Sequence, residues 1–356
     1  MFITKWTKYW RYFAVAGLMV ILLKLMYQPS YITSGNIICY RLKGMASLPD
    51  ISTVQPRKGK SIFFHETSCN SASKEKIFIT ARQACAVESA AKENPNFDVY
   101  LLYTSPGVFR FEGDESDEIL KALMSYKNIK IMRLDYEKYT NGTPVEALYK
   151  SGRIEKSKYV TSHASDVLRY LTLWKYGGIY LDLDVIILKS LEDLKPNYAG
   201  LQSRTDVAAG VISFDPDSKG HLMAEKCLND LKKNFNGNDW GNNGPGVITR
   251  LLVNLCHIKH YRKKMELASK MINKDCGGFT VFEPEIFYPV RYEDWHFYFD
   301  ESKLNSILSH TNKSYAVHMW NNFSKKKKLR LDSNAPYLYF AKKHCPRVIN
   351  SCKDEF

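Results

Sequence analysis

Residues 165–188 read Ser-Asp-Val-Leu-Arg-Tyr-Leu-Thr-Leu-Trp-Lys-Tyr-Gly-Gly-Ile-Tyr-Leu-Asp-Leu-Asp-Val-Ile-Ile-Leu. Val167, Tyr170, Leu171 and Trp174 fall at the i, i+3, i+4, i+7 spacing of a buried helical face, with Asp166 and Arg169 together on the adjoining one. Gly177-Gly178 ends this helix, because glycine accepts a left-handed cap and lets backbone approach closely. The apolar run that follows predicts a strand in which Asp182 and Asp184, two apart, point to one side while Leu181, Leu183 and Val185 point to the other. Helix, tight turn and strand predict an α/β fold with a carboxylate pair at the strand's carboxyl end, where open sheets of this class place their ligands. Two such carboxylates repel each other unless a cation joins them. Hard divalent ions suit the pair, since magnesium or manganese is held by one or two carboxylates plus the phosphate oxygens of a substrate. An isolated Asp-x-Asp reads more simply as a solvated strand end; here the flanking helix and glycine pair favour a site.

The rest of the chain supplies the sheet. Strands are expected at 61–64, 97–103, 129–134, 208–214 and 315–317, and helices at 80–93, 117–125, 218–234 and 246–257. The early βαβα order implies a largely parallel sheet.

Residues 13–23 are apolar throughout and are flanked by the aromatic Trp6, Tyr9, Trp10, Tyr12 and Tyr27, with Lys24 near one end where it can snorkel. Lys5, Lys8 and Arg11 precede the run with no acidic residue among them, which places the N-terminus in the cytosol. The expected organisation is a cytosolic tail at 1–8, a transmembrane signal anchor at 9–27, a Pro- and Ser-containing stem at 28–59 and one lumenal catalytic domain at 60–356. A cleaved signal peptide is the competing reading, and it too delivers the remainder to the secretory lumen. That destination disfavours nucleic acid as the partner behind a formal net charge of +14; a nucleotide diphosphate or an acidic membrane surface fits it. Eight cysteines without a Cys-x-x-Cys or zinc-type spacing point to disulfides. Spacing leaves their pairing open: Cys345 with Cys352 would close a short loop, and Cys39, in the stem, would join two chains of a homodimer. Asn141, Asn312 and Asn322 head glycosylation sequons.

The pattern Ser-Asp-x-x-Arg-x-x-x-Leu-x-x-Tyr-Gly-Gly-Ile-Tyr-Leu-Asp-x-Asp resembles the signature of the DxD sugar transferases of GT-A type, a nucleotide-sugar-binding, Rossmann-like single domain. The likeness extends through residues 63–68, 81–91, 200–203, 240–245, 287–289 and 316–321. It is nearest to the α-1,4-glycosyltransferases, which include lactosylceramide 4-α-galactosyltransferases, insect α-1,4-N-acetylgalactosaminyltransferases and α-1,4-N-acetylglucosaminyltransferases. The resemblance implies a Golgi type II membrane enzyme that moves galactose or N-acetylgalactosamine from a UDP-sugar onto a glycosphingolipid such as lactosylceramide. It further implies retained α configuration and Mn2+ (or Mg2+) as cofactor. Transfer of N-acetylglucosamine to glycoprotein glycans and a glycan-binding module without turnover are the alternatives.

Roles carried over by the resemblance are catalytic for Asp182 and Asp184. Asp184 would bridge metal and diphosphate, and Asp182 would contact the ribose or the ion. Asp166, Arg169 and Tyr180 would bind the donor, and His318 would complete the metal shell unless it is a structural histidine. Asn242 and Asn243, in Trp-Gly-Asn-Asn-Gly-Pro-Gly at 240–246, would contact donor or acceptor, or else belong to a turn that starts a helix. The basic run 325–328 would approach the diphosphate, and Trp320 would stack on a sugar or pack in the core.

Overall fold

The computed structural model describes Met19 and residues 37–42, 44–203, 205–258, 270–272, 274 and 276–356. Apart from Met19, the expected tail and membrane anchor lie outside the described residues, among which no helix is long and apolar enough to cross a membrane.

The first strand, β1 (Ser61–Glu66), is buried along its whole length, as a strand covered on both faces must be. Its side chains alternate between two cores, Phe63 in one and Ile62 and Phe64 in the other. Helix α1 (Ala81–Glu93) starts on a capping box, in which Thr80 accepts from the Gln83 amide and the Gln83 side chain reaches back to Thr80. Small residues Ala84, Val87 and Ala91 form its buried face. Strand β2 (Asp98–Tyr103), α2 (Glu115–Met124) and β3 (Ile129–Arg133) follow, then α3 (Val160–Tyr176) and β4 (Gly178–Leu181). Val167, Tyr170 and Leu171 of α3 are wholly buried, as their spacing predicts. The chain continues through β5 (Val185–Ile187), β6 (Tyr198–Leu201), β7 (Val207–Phe214), α4 (Ser218–Asn234), α5 (Pro245–Leu255), β8 (Thr280–Phe282) and β9 (Ala316–His318). Near its end lie α6 (Asn321–Ser324), α7 (Pro336–His344) and α8 (Pro346–Asn350).

Seven strands form one sheet in the order β3-β2-β1-β4-β7-β6-β8, and β5 pairs with β9 in a second. β3, β2, β1 and β4 run parallel, but β7 is antiparallel to β4, and β6 to β7. β8 is parallel to β6, so among the described strands of this sheet β7 alone runs against the rest, and the expectation of a largely parallel sheet holds. Helices return the chain between β1, β2, β3 and β4, whereas no long helix separates β4 from β7, and a parallel pairing needs such a crossover. Helices α3, α4 and α5 cover one face and α1, α2 and α7 the other. This is the two-sided packing of an α/β domain.

Part of the stretch expected as a stem is packed on this domain. Cys39 and Ile51 are wholly buried, Tyr40 donates to the Thr67 carbonyl at 2.5 Å, and the Leu48 amide donates to the Gly107 carbonyl at 3.0 Å. Cys39 is bonded to Cys69 within the chain, so it is not the intermolecular link expected of it. Cys345 pairs with Cys85 rather than with Cys352. Helix α8 lies between Cys345 and Cys352 and holds them roughly 10 Å apart, beyond disulfide reach. Cys256 pairs with Cys276, and Cys227 and Cys352 remain thiols.

The α3–β4 junction is the least forgiving turn. Gly177 has φ +62° and Gly178 φ +86°, and a Cβ on Gly178 would stand 2.3 Å from the Ser61 carbonyl oxygen. Gly178→Ala is expected to lower stability by about 2 kcal/mol or more, from the strained φ and the displaced β1–β4 pairing. Urea unfolding of the two proteins, with equal slopes and a lowered midpoint for the variant, checks it.

Candidate active site

Strand β4 stops at Leu181, so Asp182-Leu183-Asp184 is a turn rather than the continuing strand the sequence suggests. The Val185 amide donates back to the Asp182 carbonyl at 3.1 Å, and the Asp182 amide donates to Gly210 of β7 at 2.9 Å. The turn hands the chain from the large sheet to β5. Strand β5 pairs antiparallel with β9 in the register Val185↔His318. Through this register His318 joins the two carboxylates: Asp182, Asp184 and His318 each offer a ligand atom, all within 4.8 Å of one another. His318 Nε2 lies 3.3 Å from Asp184 Oδ1 and 3.8 Å from Asp182 Oδ2.

The cluster fits a divalent cation by its chemistry, two carboxylates and an imidazole. It also fits by its space, because β7 carries a glycine where any side chain would intrude. A Cβ on Gly210 would sit 2.8 Å from Asp182 Oδ2 and 3.3 Å from the His318 ring. One proton bears on the fit. His318 Nδ1 accepts from the Trp320 amide at 3.2 Å, so the neutral ring carries its proton on Nε2, facing the carboxylates. Nε2 would serve as a ligand atom only with the ring proton on Nδ1, the atom that accepts from the Trp320 amide here.

Behind the cluster lies a buried charge network. Arg169 reaches from α3 to Asp166 Oδ1 at 3.0 Å and Asp182 Oδ1 at 3.4 Å, donates to the Ala209 carbonyl at 2.7 Å, and lies over the Tyr180 ring at 4.8 Å. The Tyr180 hydroxyl donates to Asp182 Oδ1 at 2.7 Å. Burial raises a carboxyl pKa and the guanidinium lowers it. For Asp182, Arg169, His318 and Tyr180 together overcome burial and hold it at about 2. For Asp166 burial wins over Arg169, with Asp182 adding to it, and the carboxyl rises to about 7. Asp184 is raised by burial, with His318 opposing and Asp182 reinforcing. Burial works against a charged His318, yet Asp184 and Asp182 outweigh it and keep its pKa above the ordinary value.

These residues line a cleft of about 1660 Å³. Asp166, Arg169, Tyr180, Asp182, Asp184 and His318 are thus brought together as expected. Asn242 and Asn243 are not. Asn243 is wholly buried and exchanges hydrogen bonds with the backbone of Asn236, while Asn242 donates to the Asn234 carbonyl and accepts from Arg250. Their amides satisfy a loop that has no ladder of its own, the ordinary use of asparagine in turns. Trp320 is core, its indole donating to the Val290 carbonyl at 2.9 Å. Lys325, Lys327 and Lys328 do line the cleft. Arg82 holds their loop by donating to the carbonyls of Ser324, at 3.0 Å, and Lys327.

Glu66, Arg82 and Gly210 also line the cleft, and their residue types alone assign them no role there. Glu66 gave the clearest signal, an acidic residue closing an apolar strand. Its Oε1 accepts from the Ser68 amide at 3.1 Å, and its Oε2 has no hydrogen-bond partner among the described residues. Burial lifts its pKa to about 7, against the contacts with Ser68 and Gln83.

Two outcomes follow from this geometry. Gly210→Ala is expected to cut turnover at least tenfold with a small change in melting temperature, since Asp182 can rotate away but not stay in place. Paired rate and melting measurements check it. For Glu66 the folded pKa lies above the unfolded one, so its contribution is full below about pH 4.5 and is lost as pH rises through about 7. Glu66→Gln should therefore gain melting temperature over the wild type as pH goes from 5 to 8, whereas a pH-independent difference contradicts the assignment.

Residues 80–201 match the glycosyltransferase sugar-binding region containing the DXD motif, and residues 216–352 match the alpha 1,4-glycosyltransferase conserved region. Lactosylceramide 4-alpha-galactosyltransferase of Mus musculus is 32% identical over 315 residues, 88% of this chain and 82% of that protein. Alpha-1,4-N-acetylglucosaminyltransferase of Homo sapiens is 27% identical over 267 residues, 74% of each. Among solved structures the PaToxG glycosyltransferase is 19% identical, covering 56% of this chain and 70% of that one at a TM-score of 0.40, too loose a likeness to argue from. The mixed α/β sheet, the DxD turn beyond β4 and these sequence relationships agree: the chain belongs to the α-1,4-glycosyltransferase family that includes lactosylceramide 4-α-galactosyltransferase, and is a hexosyltransferase.

Proposed function

We propose that this hexosyltransferase moves galactose or N-acetylgalactosamine from a UDP-sugar, in α-1,4 linkage and with retention, onto a glycosphingolipid such as lactosylceramide. The observation that carries the proposal is the convergence of Asp182, Asp184 and His318 beside the buried Arg169 network, in a cleft large enough for nucleotide sugar and acceptor together. The reading of the acceptor rests on the relationship to lactosylceramide 4-alpha-galactosyltransferase. The N-terminal segment is read as a signal anchor that holds the domain on the lumenal side of the Golgi membrane, beside lipid-borne acceptors.

In this reading Asp182, Asp184 and His318 hold Mn2+ or Mg2+, which when bound supplies positive charge against the leaving diphosphate. Asp166 and Arg169 orient the donor sugar's hydroxyls, and Tyr180 fixes the Asp182 carboxylate through its hydroxyl. Lys325, Lys327 and Lys328 add charge at the cleft wall, where the diphosphate departs. The bond between the anomeric carbon and the phosphate oxygen breaks, and the acceptor oxygen bonds to the same face of that carbon. The acceptor's proton passes to the departing phosphate oxygen. Such front-face attack asks the protein to position the reactants and to stabilise charge rather than to supply a nucleophile.

The test uses the full-length chain in detergent with Mn2+, scoring transfer from UDP-galactose, UDP-N-acetylgalactosamine and UDP-N-acetylglucosamine onto a glycolipid panel that includes lactosylceramide. Transfer of galactose or N-acetylgalactosamine, abolished by chelator, is the expected result. Asp184→Asn should lower the rate by about 100-fold or more with folding preserved. Turnover indifferent to chelator and to this substitution would refute the metal-centred site, and transfer confined to glycoprotein glycans would refute the acceptor.

A further inference from the structure

Large exposed apolar side chains scattered singly over a surface need no explanation, but a group of them in one cleft does. Ten such side chains are exposed among the described residues, and three of them, Trp240, Tyr292 and Phe323, line the cleft that holds the Asp182–Asp184–His318 cluster. Phe323 is 49% exposed and Tyr292 41%. Their rings are stacked on each other, with centroids 6.1 Å apart and an interplanar angle of 21°. The pair has a fixed footing. Tyr292 meets the buried Trp320 edge-on at 6.2 Å, and Trp320 lies against His318 at 4.2 Å. Phe323 stands on α6, whose first residue, Asn321, donates its amide to Asp184 Oδ2 at 2.7 Å.

We propose that Tyr292 and Phe323 form the acceptor subsite, an aromatic ledge on which the sugar that receives the hexose lays its C–H face. This rests on the transfer reading above and extends it to the residues that hold the acceptor. A pyranose presents one side largely of C–H bonds, which an aromatic face covers while the hydroxyls at the ring's edge remain in water or reach polar partners. The ledge suits this in two respects: its rings are exposed, and it is tied through Asn321 and Trp320 to two of the residues that define the reacting centre. A stacked sugar can therefore direct a ring hydroxyl at the anomeric carbon. The donor's partners, Asp166 and Arg169, come from α3, so donor and acceptor are held by separate elements.

The test compares the full-length wild type with F323A, Y292A and F323W, using the donor the chain accepts and methyl β-lactoside and methyl β-N-acetyllactosaminide as soluble acceptors. F323A and Y292A are expected to raise the acceptor KM about tenfold while the donor KM moves less than twofold, and F323W to restore the acceptor KM. An unchanged acceptor KM in both alanine variants overturns the ledge and leaves the transfer reading standing. A wild type that transfers to neither glycoside counts against the transfer reading instead. The ledge is then decided by NMR saturation of protein aromatic protons with methyl β-lactoside or methyl β-N-acetylglucosaminide present. Saturation reaching the sugar in the wild type and lost in F323A supports it; saturation that is absent in the wild type, or that persists in F323A, overturns it.

Discussion

The ion pairing of Arg169 with two carboxylates is the interaction on which this site depends. Burying a carboxylate is costly unless it is paired and hydrogen-bonded, and here three of them, Asp166, Asp182 and Asp184, share one small volume. Arg169 neutralises only part of that charge while tying α3 to β7 through the Ala209 carbonyl. A divalent cation beside Asp182 and Asp184 would offset negative charge that Arg169 leaves unneutralised. Removing the guanidinium would leave the carboxylates buried and uncompensated, an effect of about 3–5 kcal/mol in comparable settings. The same group thus ties α3 to β7 and offsets part of the charge of the carboxylate cluster.

A second constraint comes from far along the chain. The β5–β9 pairing delivers His318 to Asp184, and the Asn321 amide fixes the second oxygen of that carboxylate. Arg82, from the start of α1, then holds the basic loop after α6 by its carbonyls, with its guanidinium over the rings of Phe299 and Tyr337. The Cys85–Cys345 disulfide joins α1 to the segment after α7, across 260 residues of sequence. Residues of the DxD turn and of the C-terminal region therefore line one cleft, joined by the β5–β9 pairing and the Asn321–Asp184 hydrogen bond.

Local chemistry was legible in the sequence, and long-range pairing was not. The capping box at Thr80, the helix bearing Asp166 and Arg169, the Gly177-Gly178 stop and the covered strand β1 all follow from spacing and residue type. The direction of β7 does not, because apolar alternation is the same in parallel and antiparallel strands. The turn at 182–184 was hidden for a related reason: the apolar residues on both sides of it read as one continuous strand. Asn242 and Asn243 misled because an amide serving its own loop and an amide serving a ligand look alike in sequence. Gly210 could be valued only once Asp182 and His318 were seen beside it, since a glycine's role there is set by its neighbours.

In the proposed function Asp182, Asp184 and His318 together form the metal site that serves the donor diphosphate. Manganese-edge anomalous diffraction from crystals grown with UDP and Mn2+ tests it most directly. The expected result is one strong anomalous peak in bonding contact with both carboxylates and with His318 Nε2, and with the diphosphate on its far side. A peak held by other residues, or diphosphate bound with no metal between it and Asp184, would contradict it.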